Sequence, residues 1–255
     1  MPDPLGTFEY TWRLWLAAPA AGYLLGSIPF GLILCRIAGH GDIRNIGSGN
    51  IGATNVLRTG NKALAVITLL LDAGKAGALV AIADHLYGQD FAVISGLGAM
   101  VGHIHPLWLK NVKGRGTVTT IAIFVSLFCG FAMISDGGYS FRTAAGIILI
   151  IATTPFAWGG KGVACAMGCL IALAWPVGLL SCVSWLVVAV LFRFSSLAAL
   201  SSFLLSVAYA YVLADQQITE FAVLLSVLIC IRHIDNIRRL LKGREGKLSL
   251  TLSRD

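Results

Sequence analysis

Leu14-Trp-Leu-Ala-Ala-Pro-Ala-Ala-Gly-Tyr-Leu-Leu-Gly-Ser-Ile-Pro-Phe-Gly-Leu-Ile-Leu-Cys35 runs for 22 residues without a charge. A run of that length reaches across the hydrocarbon core of a bilayer. The lead before it carries Asp3, Glu9 and Arg13, which is not the basic n-region of a cleaved signal peptide, so the run reads as a membrane span. Composition extends the reading to the whole chain. The protein is 57% hydrophobic and only 12% charged, with a mean hydropathy of +0.82, far from the charge content of a soluble domain. The sequence therefore predicts an all-α, polytopic integral membrane protein, a helix bundle forming a single membrane domain over residues 1–255.

Further apolar runs follow at residues 63–83 and 91–109, then at 119–135 and 143–158 around the turn-forming Asp-Gly-Gly-Tyr-Ser. The charge-free stretch 163–191 holds Pro176 and Gly178, which should divide it into two short spans, and residues 197–214 and 216–231 supply the last two. From Arg232 the tail, 232–255, is basic and amphipathic. With the N-terminus outside, 16 of the 19 basic residues fall on one face. That asymmetry makes this face cytoplasmic, and it accounts for the net charge of +7 without invoking nucleic acid. Asp72 and Lys75 lie inside the second run. Charges at membrane depth are costly, and three residues apart they share a helix face, so they should pair with each other or line a polar cavity.

The loop after the first run reads Ile43-Arg-Asn-Ile-Gly-Ser-Gly-Asn-Ile-Gly-Ala-Thr-Asn-Val-Leu-Arg58. Gly47, Gly49 and Gly52 let backbone N–H groups converge on an anion. Ser48, Asn50, Thr54 and Asn55 add polar contacts, and Arg58 adds a planar fork of positive charge. The loop reads as a phosphate pocket, the alternative being a polar loop whose glycines only make turns. A literal Gly-x-Gly-x-x-Gly lies within it, but a membrane span precedes it where a dinucleotide fold needs a short strand. His103 and His105 stand two apart, on different faces of a helix, and no further ligand cluster accompanies them. The six cysteines lie in or beside apolar runs with no Cys-x-x-Cys pair and read as small hydrophobes. No metal and no cofactor is expected.

These motifs together resemble the bacterial acyl-phosphate:glycerol-3-phosphate acyltransferases, the PlsY family. The matching stretches are Ser48 to Arg58, Leu-Leu-Asp-Ala-Gly-Lys at 70–75, Gly-His-Ile-His-Pro at 102–106, Gly-Gly-Lys-Gly-Val-Ala at 159–164, Phe-Arg-Phe-Ser-Ser-Leu-Ala at 192–198, and the run from His233 to Leu241. The resemblance implies seven spans, an outside N-terminus, and transfer of a fatty acyl group from acyl phosphate to glycerol 3-phosphate in the bacterial inner membrane, without acyl-CoA or acyl carrier protein. Its products would be lysophosphatidic acid and phosphate. Ser48, Arg58, Lys161, His233 and Asn236 match functional positions of the family. Gly160 and Gly162 flanking the lysine, His103 in the histidine motif, and Arg193, Ser195 and Ser196 in the serine corner are expected to bind substrate or its phosphate.

Acyl phosphate is already activated, so positioning and charge stabilisation can lower the barrier without a covalent intermediate. His233 is one candidate base and the substrate's own phosphate another; a helix-end histidine bonded to a backbone carbonyl is the structural alternative. The sequence departs from the family pattern in one large respect. About 48 residues, 111–158, separate the histidine motif from the Gly-Gly-Lys-Gly loop. This segment reads as an inserted helical hairpin, bringing the total to about nine spans, and it opens on Lys113-Gly-Arg-Gly116, a degenerate copy of the later loop. A second departure is Ala76, where the family usually carries glycine. An anion or phospholipid transporter, or a catalytically inactive relative, are the competing readings. Neither acyl-chain preference nor oligomeric state follows from the sequence.

Overall fold

The computed structural model describes residues 8–109 and 159–248. Within them the chain is helical and contains no strand. The expected hairpin at 111–158, with Lys113 and Arg115, lies outside the described residues.

The first apolar run is not one continuous helix, although Leu16–Ile37 as a whole remains long and apolar enough to cross a membrane. It breaks at Ser27-Ile28-Pro29 into α1 (Phe8–Gly26) and α2 (Phe30–Ile37). Pro29 brings no N–H and biases Ile28 away from helical geometry, while the Ser27 hydroxyl turns back to the Tyr23 carbonyl at 2.6 Å. The polar segment that follows contains the short helix α3 (Ala53–Val56). α4 (Lys62–Tyr87) then starts on Asn61, whose side chain accepts from the Leu64 amide at 2.9 Å. α5 (Gln89–Ile104) stops five residues before the expected end of its span, because Pro106 disfavours helical geometry at His105.

The long charge-free run divides at Ala174 into α6 (Val163–Leu173) and α7 (Trp175–Phe192), with Pro176 in the first turn of α7 where its missing N–H is harmless. At 11 residues, α6 is about 16 Å long, roughly half the hydrocarbon thickness. It is therefore shorter than a full span, although the sequence divides where Pro176 and Gly178 suggested. α8 (Ser195–Leu213) and α9 (Gln216–Arg232) follow, and α10 (Ile234–Leu241) leaves α9 at a bend of 61°. Among the described residues four runs are long and apolar enough to cross a membrane, or five if α9 and α10 are one broken span. Leu70, Leu86, Leu186, Leu191, Leu204 and Val212 point outward from these helices, an apolar belt suited to lipid rather than water.

Two helix crossings fix the interior, α1 along α5 and α4 along α6. Both rest on glycine, as interfaces between membrane helices commonly do. A Cβ on Gly26 would lie 2.1 Å from the Ala99 carbonyl oxygen, and one on Gly102 2.2 Å from that of Tyr23. Across the second crossing, a Cβ on Gly168 would come within 2.1 Å of the Ala73 oxygen. These are backbone contacts that no rotamer change relieves. Gly26→Leu is expected to destabilise the purified protein by about 1–3 kcal/mol, the usual range for overpacking. The lipid-facing Leu24→Ala should change little. Thermal unfolding in detergent compares the two, and an unshifted midpoint for Gly26→Leu would contradict the close crossing.

Candidate active site

The polar loop after α2 is built around one buried amide. Asn55 donates through Nδ2 to the carbonyls of Ile43 (3.1 Å), Ile46 (2.9 Å) and Asn50 (2.8 Å). Its Oδ1 accepts from the Ser48 amide (3.0 Å), the Ser48 hydroxyl (3.2 Å) and Arg58 Nη1 (3.4 Å). Asn55, expected to touch a ligand, is here the centre of the loop. Asn50 likewise turns inward, accepting from the Gly52 amide at 2.9 Å. Gly47 and Gly49 adopt positive φ; at Gly47 a Cβ would strike both the Arg58 side chain and Asn55 Oδ1. Ser48 and Arg58 remain on the exposed rim, and Thr54 is half-buried beside them. At the base of the loop Arg44, foremost, and Arg36 hold the Asp42 carboxyl below the usual carboxylate range.

The glycine–lysine loop sits on the end of α5. Gly159 N–H donates to the Ile104 carbonyl at 2.8 Å and Gly160 N–H to that of His103 at 3.0 Å, while Arg232 reaches the carbonyls of Gly159 and Gly160 at 3.2 and 3.3 Å. Those two amides are thus committed to the fold, and Gly160 contributes room rather than a donor. A Cβ there would lie 1.9 Å from His103 Nε2. Gly162, at φ +85°, turns the chain into α6, leaving Lys161 at a helix N-terminus that favours anions. Burial pushes the Lys161 ammonium down to about 8, with Arg239, Arg232 and Arg58 acting in the same direction and Glu245 opposing. It donates to Asn236 Oδ1 at 2.5 Å.

Asn236 passes the contact on. Its Nδ2 donates to Glu245 Oε1 at 2.6 Å, which also accepts from the Ser196 hydroxyl at 2.7 Å, while Arg239 Nε donates to Oε2 at 2.7 Å. Burial works to raise the Glu245 carboxyl, but hydrogen bonds from Ser196, Asn236 and Arg239 outweigh it and hold the group below its ordinary value. The segment carrying Glu245 crosses beside Arg58, whose Nη2 lies 3.9 Å from the Cβ position of Gly246. It is tied at Leu248, whose amide donates to the Arg193 carbonyl at 2.6 Å and whose own carbonyl accepts from Arg193 Nη2 at 3.2 Å. Arg193 is the only residue other than glycine with positive φ among those described. Its side chain is occupied by the tail, and Ser195 opens α8 beside the buried Ser196.

His233 lies in the bend between α9 and α10, with Nδ1 2.8 Å from the Ile229 carbonyl. A carbonyl only accepts, so Nδ1 carries the hydrogen and Nε2 is the unprotonated nitrogen of the neutral ring. The helix-end contact and a role as base are therefore compatible. Asp72 and Lys75 pair at 2.8 Å in the interior, and His103, not predicted to join them, lies 3.0 Å from the same ammonium. Sequence reasoning also missed Glu245, Arg239 and Arg232. The one signal for Glu245 is that it is the lone carboxylate in a run of Arg238, Arg239, Lys242, Arg244 and Lys247. Among the described residues no three His, Cys, Asp or Glu side chains converge as a metal-binding set.

The family model for glycerol-3-phosphate acyltransferase matches this chain in two pieces, residues 16–156 and 141–243. The glycerol-3-phosphate acyltransferase of Rhodospirillum rubrum is 48% identical over 236 residues, covering 89% of this chain and 88% of the relative. That of Mesorhizobium japonicum is 47% identical, covering 89% and 92%. Among solved structures, the glycerol 3-phosphate form of PlsY, an integral membrane glycerol 3-phosphate acyltransferase, superposes with a TM-score of 0.70 at 28% identity, covering 92% of this chain and 96% of that one.

Asn55→Asp tests the loop geometry directly. It keeps the size of the side chain but sets a carboxylate against three carbonyl oxygens, removing donors that the buried backbone needs. Amide hydrogen exchange across residues 43–52 should speed up by an order of magnitude or more, since about 1.4 kcal/mol of lost local stability is tenfold. Unchanged exchange there would show that Asn55 does not hold the loop.

Proposed function

The chain belongs to the glycerol-3-phosphate acyltransferase family, and from that membership we propose how its residues carry out the transfer. It is a membrane acyltransferase that places a fatty acyl group on glycerol 3-phosphate to give lysophosphatidic acid, with acyl phosphate as the donor. The observation that carries the residue assignment is the convergence of Lys161, Asn236, Ser196 and Glu245 in one hydrogen-bonded chain beside Arg58.

Arg58 and Lys161 hold phosphate, Arg58 through its fork and Lys161 as a point charge at the start of α6. Ser48 borders the same pocket through Asn55, with Thr54 at its edge. The glycerol hydroxyl attacks the acyl carbonyl, the new ester C–O bond forms, and the bond from that carbonyl carbon to the phosphate oxygen breaks. The hydroxyl proton passes to His233 Nε2 or to the departing phosphate. Asn236 orients Lys161, and Ser196 with Glu245 orients Asn236. No covalent enzyme intermediate, metal or cofactor enters the scheme.

The membrane arrangement follows the same reading. Seven family spans plus an inserted hairpin at 111–158 make about nine, in one domain, with the N-terminus outside and the polar loops and basic tail, 232–255, in the cytoplasm of a bacterial inner membrane. The one-sided distribution of basic residues supports the sidedness. The two pieces of the family match overlap at residues 141–156, inside that segment, which supports an interruption of the family pattern there.

The deciding assay supplies purified protein with acyl phosphate and glycerol 3-phosphate and follows lysophosphatidic acid; no product, or equal use of acyl-CoA, overturns the proposal. Lys161→Ala should reduce turnover at least about a hundredfold, the scale of a lost charge-stabilising group. Arg115→Ala, in the degenerate copy, should cost only a few-fold, and the reverse ranking would transfer the role to the insert.

The pH profile gives an independent check. A cation whose pKa is lowered to about 8 loses its charge as pH rises through that value, so kcat/KM, which reports the free enzyme, should fall above about pH 8. In Lys161→Arg the descending limb should disappear from that range, whatever the residual rate. A limb that stays in place belongs to another group.

A further inference from the structure

We propose that Asp72 and Lys75, in the interior of α4, are positioning residues for the lysine-bearing loop: they fix the tautomer of His103 and seat its Nε2 edge against Gly160. This rests on the reading of that loop as a phosphate site and extends it to two residues that touch no substrate.

Lys75 Nζ lies 2.8 Å from the Ile28 carbonyl, 2.8 Å from Asp72 Oδ1 and 3.0 Å from His103 Nδ1. An ammonium has three N–H groups and no acceptor, so these contacts use all of them. The Ile28 carbonyl is available because the chain breaks between α1 and α2, and Asp72 supplies the charge that makes an ammonium stable in the interior. His103 Nδ1 must then be the acceptor, and in a neutral imidazole the hydrogen moves to Nε2. Asp72 Oδ1, 3.7 Å from His103 Nδ1, is beyond hydrogen-bond distance, so it acts on the ring through Lys75.

The Nε2 edge lies against the loop. It occupies the space where a Gly160 side chain would be, 1.9 Å from the Cβ position, while the His103 carbonyl accepts the Gly160 amide at 3.0 Å. His103 thus grips Gly160 from two sides, by ring and by backbone, one residue before Lys161. The tautomer matters because Nε2 then presents a donor to the loop and its ligand. With the hydrogen on Nδ1 it would present a bare lone pair beside a site meant for phosphate, and Nδ1 would confront the ammonium.

The full-length protein labelled with ¹⁵N-histidine in detergent tests this, with the His103 resonances identified by their loss in His103→Gln. The expected pattern is an imine-type Nδ1 and an N–H-type Nε2, shifting toward the other tautomer in the paired variant Asp72→Asn with Lys75→Met, which leaves no lone buried charge. That variant should raise KM for a phosphate-bearing substrate by about tenfold or more, as expected when a substrate-holding loop is slightly misplaced, with a smaller change in kcat. His103→Gln, whose amide can place an N–H near the Nε2 position, should retain more activity than His103→Leu. An Nδ1–H ring in the wild type overturns the proposal, as does equal impairment in the Gln and Leu variants; both readouts survive if the paired variant does not fold. If the wild type shows the Nε2–H ring but transfers no acyl group, the functional reading fails and the tautomer assignment stands.

Discussion

A buried ammonium has to be fully satisfied, and the way Lys75 meets that demand ties the molecule together. Its three donors reach three separate places, the broken end of α1, its own turn of α4, and the last turn of α5. Removing either member of such a pair leaves an isolated charge in the interior, at a cost of about 3–5 kcal/mol. The geometry is possible only because the helices approach so closely. Glycines at 22, 26, 98 and 102 let α1 and α5 touch backbone to backbone, and those at 77 and 168 do the same for α4 and α6. The close crossings bring the break at Pro29, the pair on α4 and His103 within hydrogen-bond distance of one point.

From that point the constraint runs outward to the chemistry. His103 and Ile104 hold the loop of Gly159 and Gly160, the loop aims Lys161, and Lys161 meets Asn236, 75 residues further along the chain. Glu245 closes the circuit by joining α8 and α10 through Ser196 and Arg239. A reaction with an activated acyl donor needs little more than such a rigid set of charges and donors, since most of its barrier can be removed by orientation and by stabilising the charge on the leaving phosphate. The intramembrane charges that would suit a transport pathway are instead bound to each other and to His103.

How far the sequence revealed this depended on the range of each interaction. The Asp72–Lys75 pair was legible because a spacing of three on a helix is a local fact. The polar loop was legible as a loop, but not the role of Asn55, whose contacts reach back 12 residues to a carbonyl that only the folded turn presents. The absence of charge concealed the division of residues 14–35 and the shortness of α6, since hydropathy does not report backbone breaks, although Pro29 was in plain view. Glu245 and the tail contact of Arg193 were missed for the same reason. Their partners lie 49 and 55 residues away along the chain, and only the packing of the tail across the α7–α8 corner brings them together.

The central claim is that substrate phosphate is held where Arg58 and Lys161 converge. A structure of this protein with glycerol 3-phosphate bound tests it most directly. The account predicts the phosphate within hydrogen-bond distance of the Arg58 guanidinium or the Lys161 ammonium, with the Asp72–Lys75–His103 contacts intact. A phosphate lodged deep between α4 and α5 on Lys75, with Arg58 and Lys161 untouched, would contradict it.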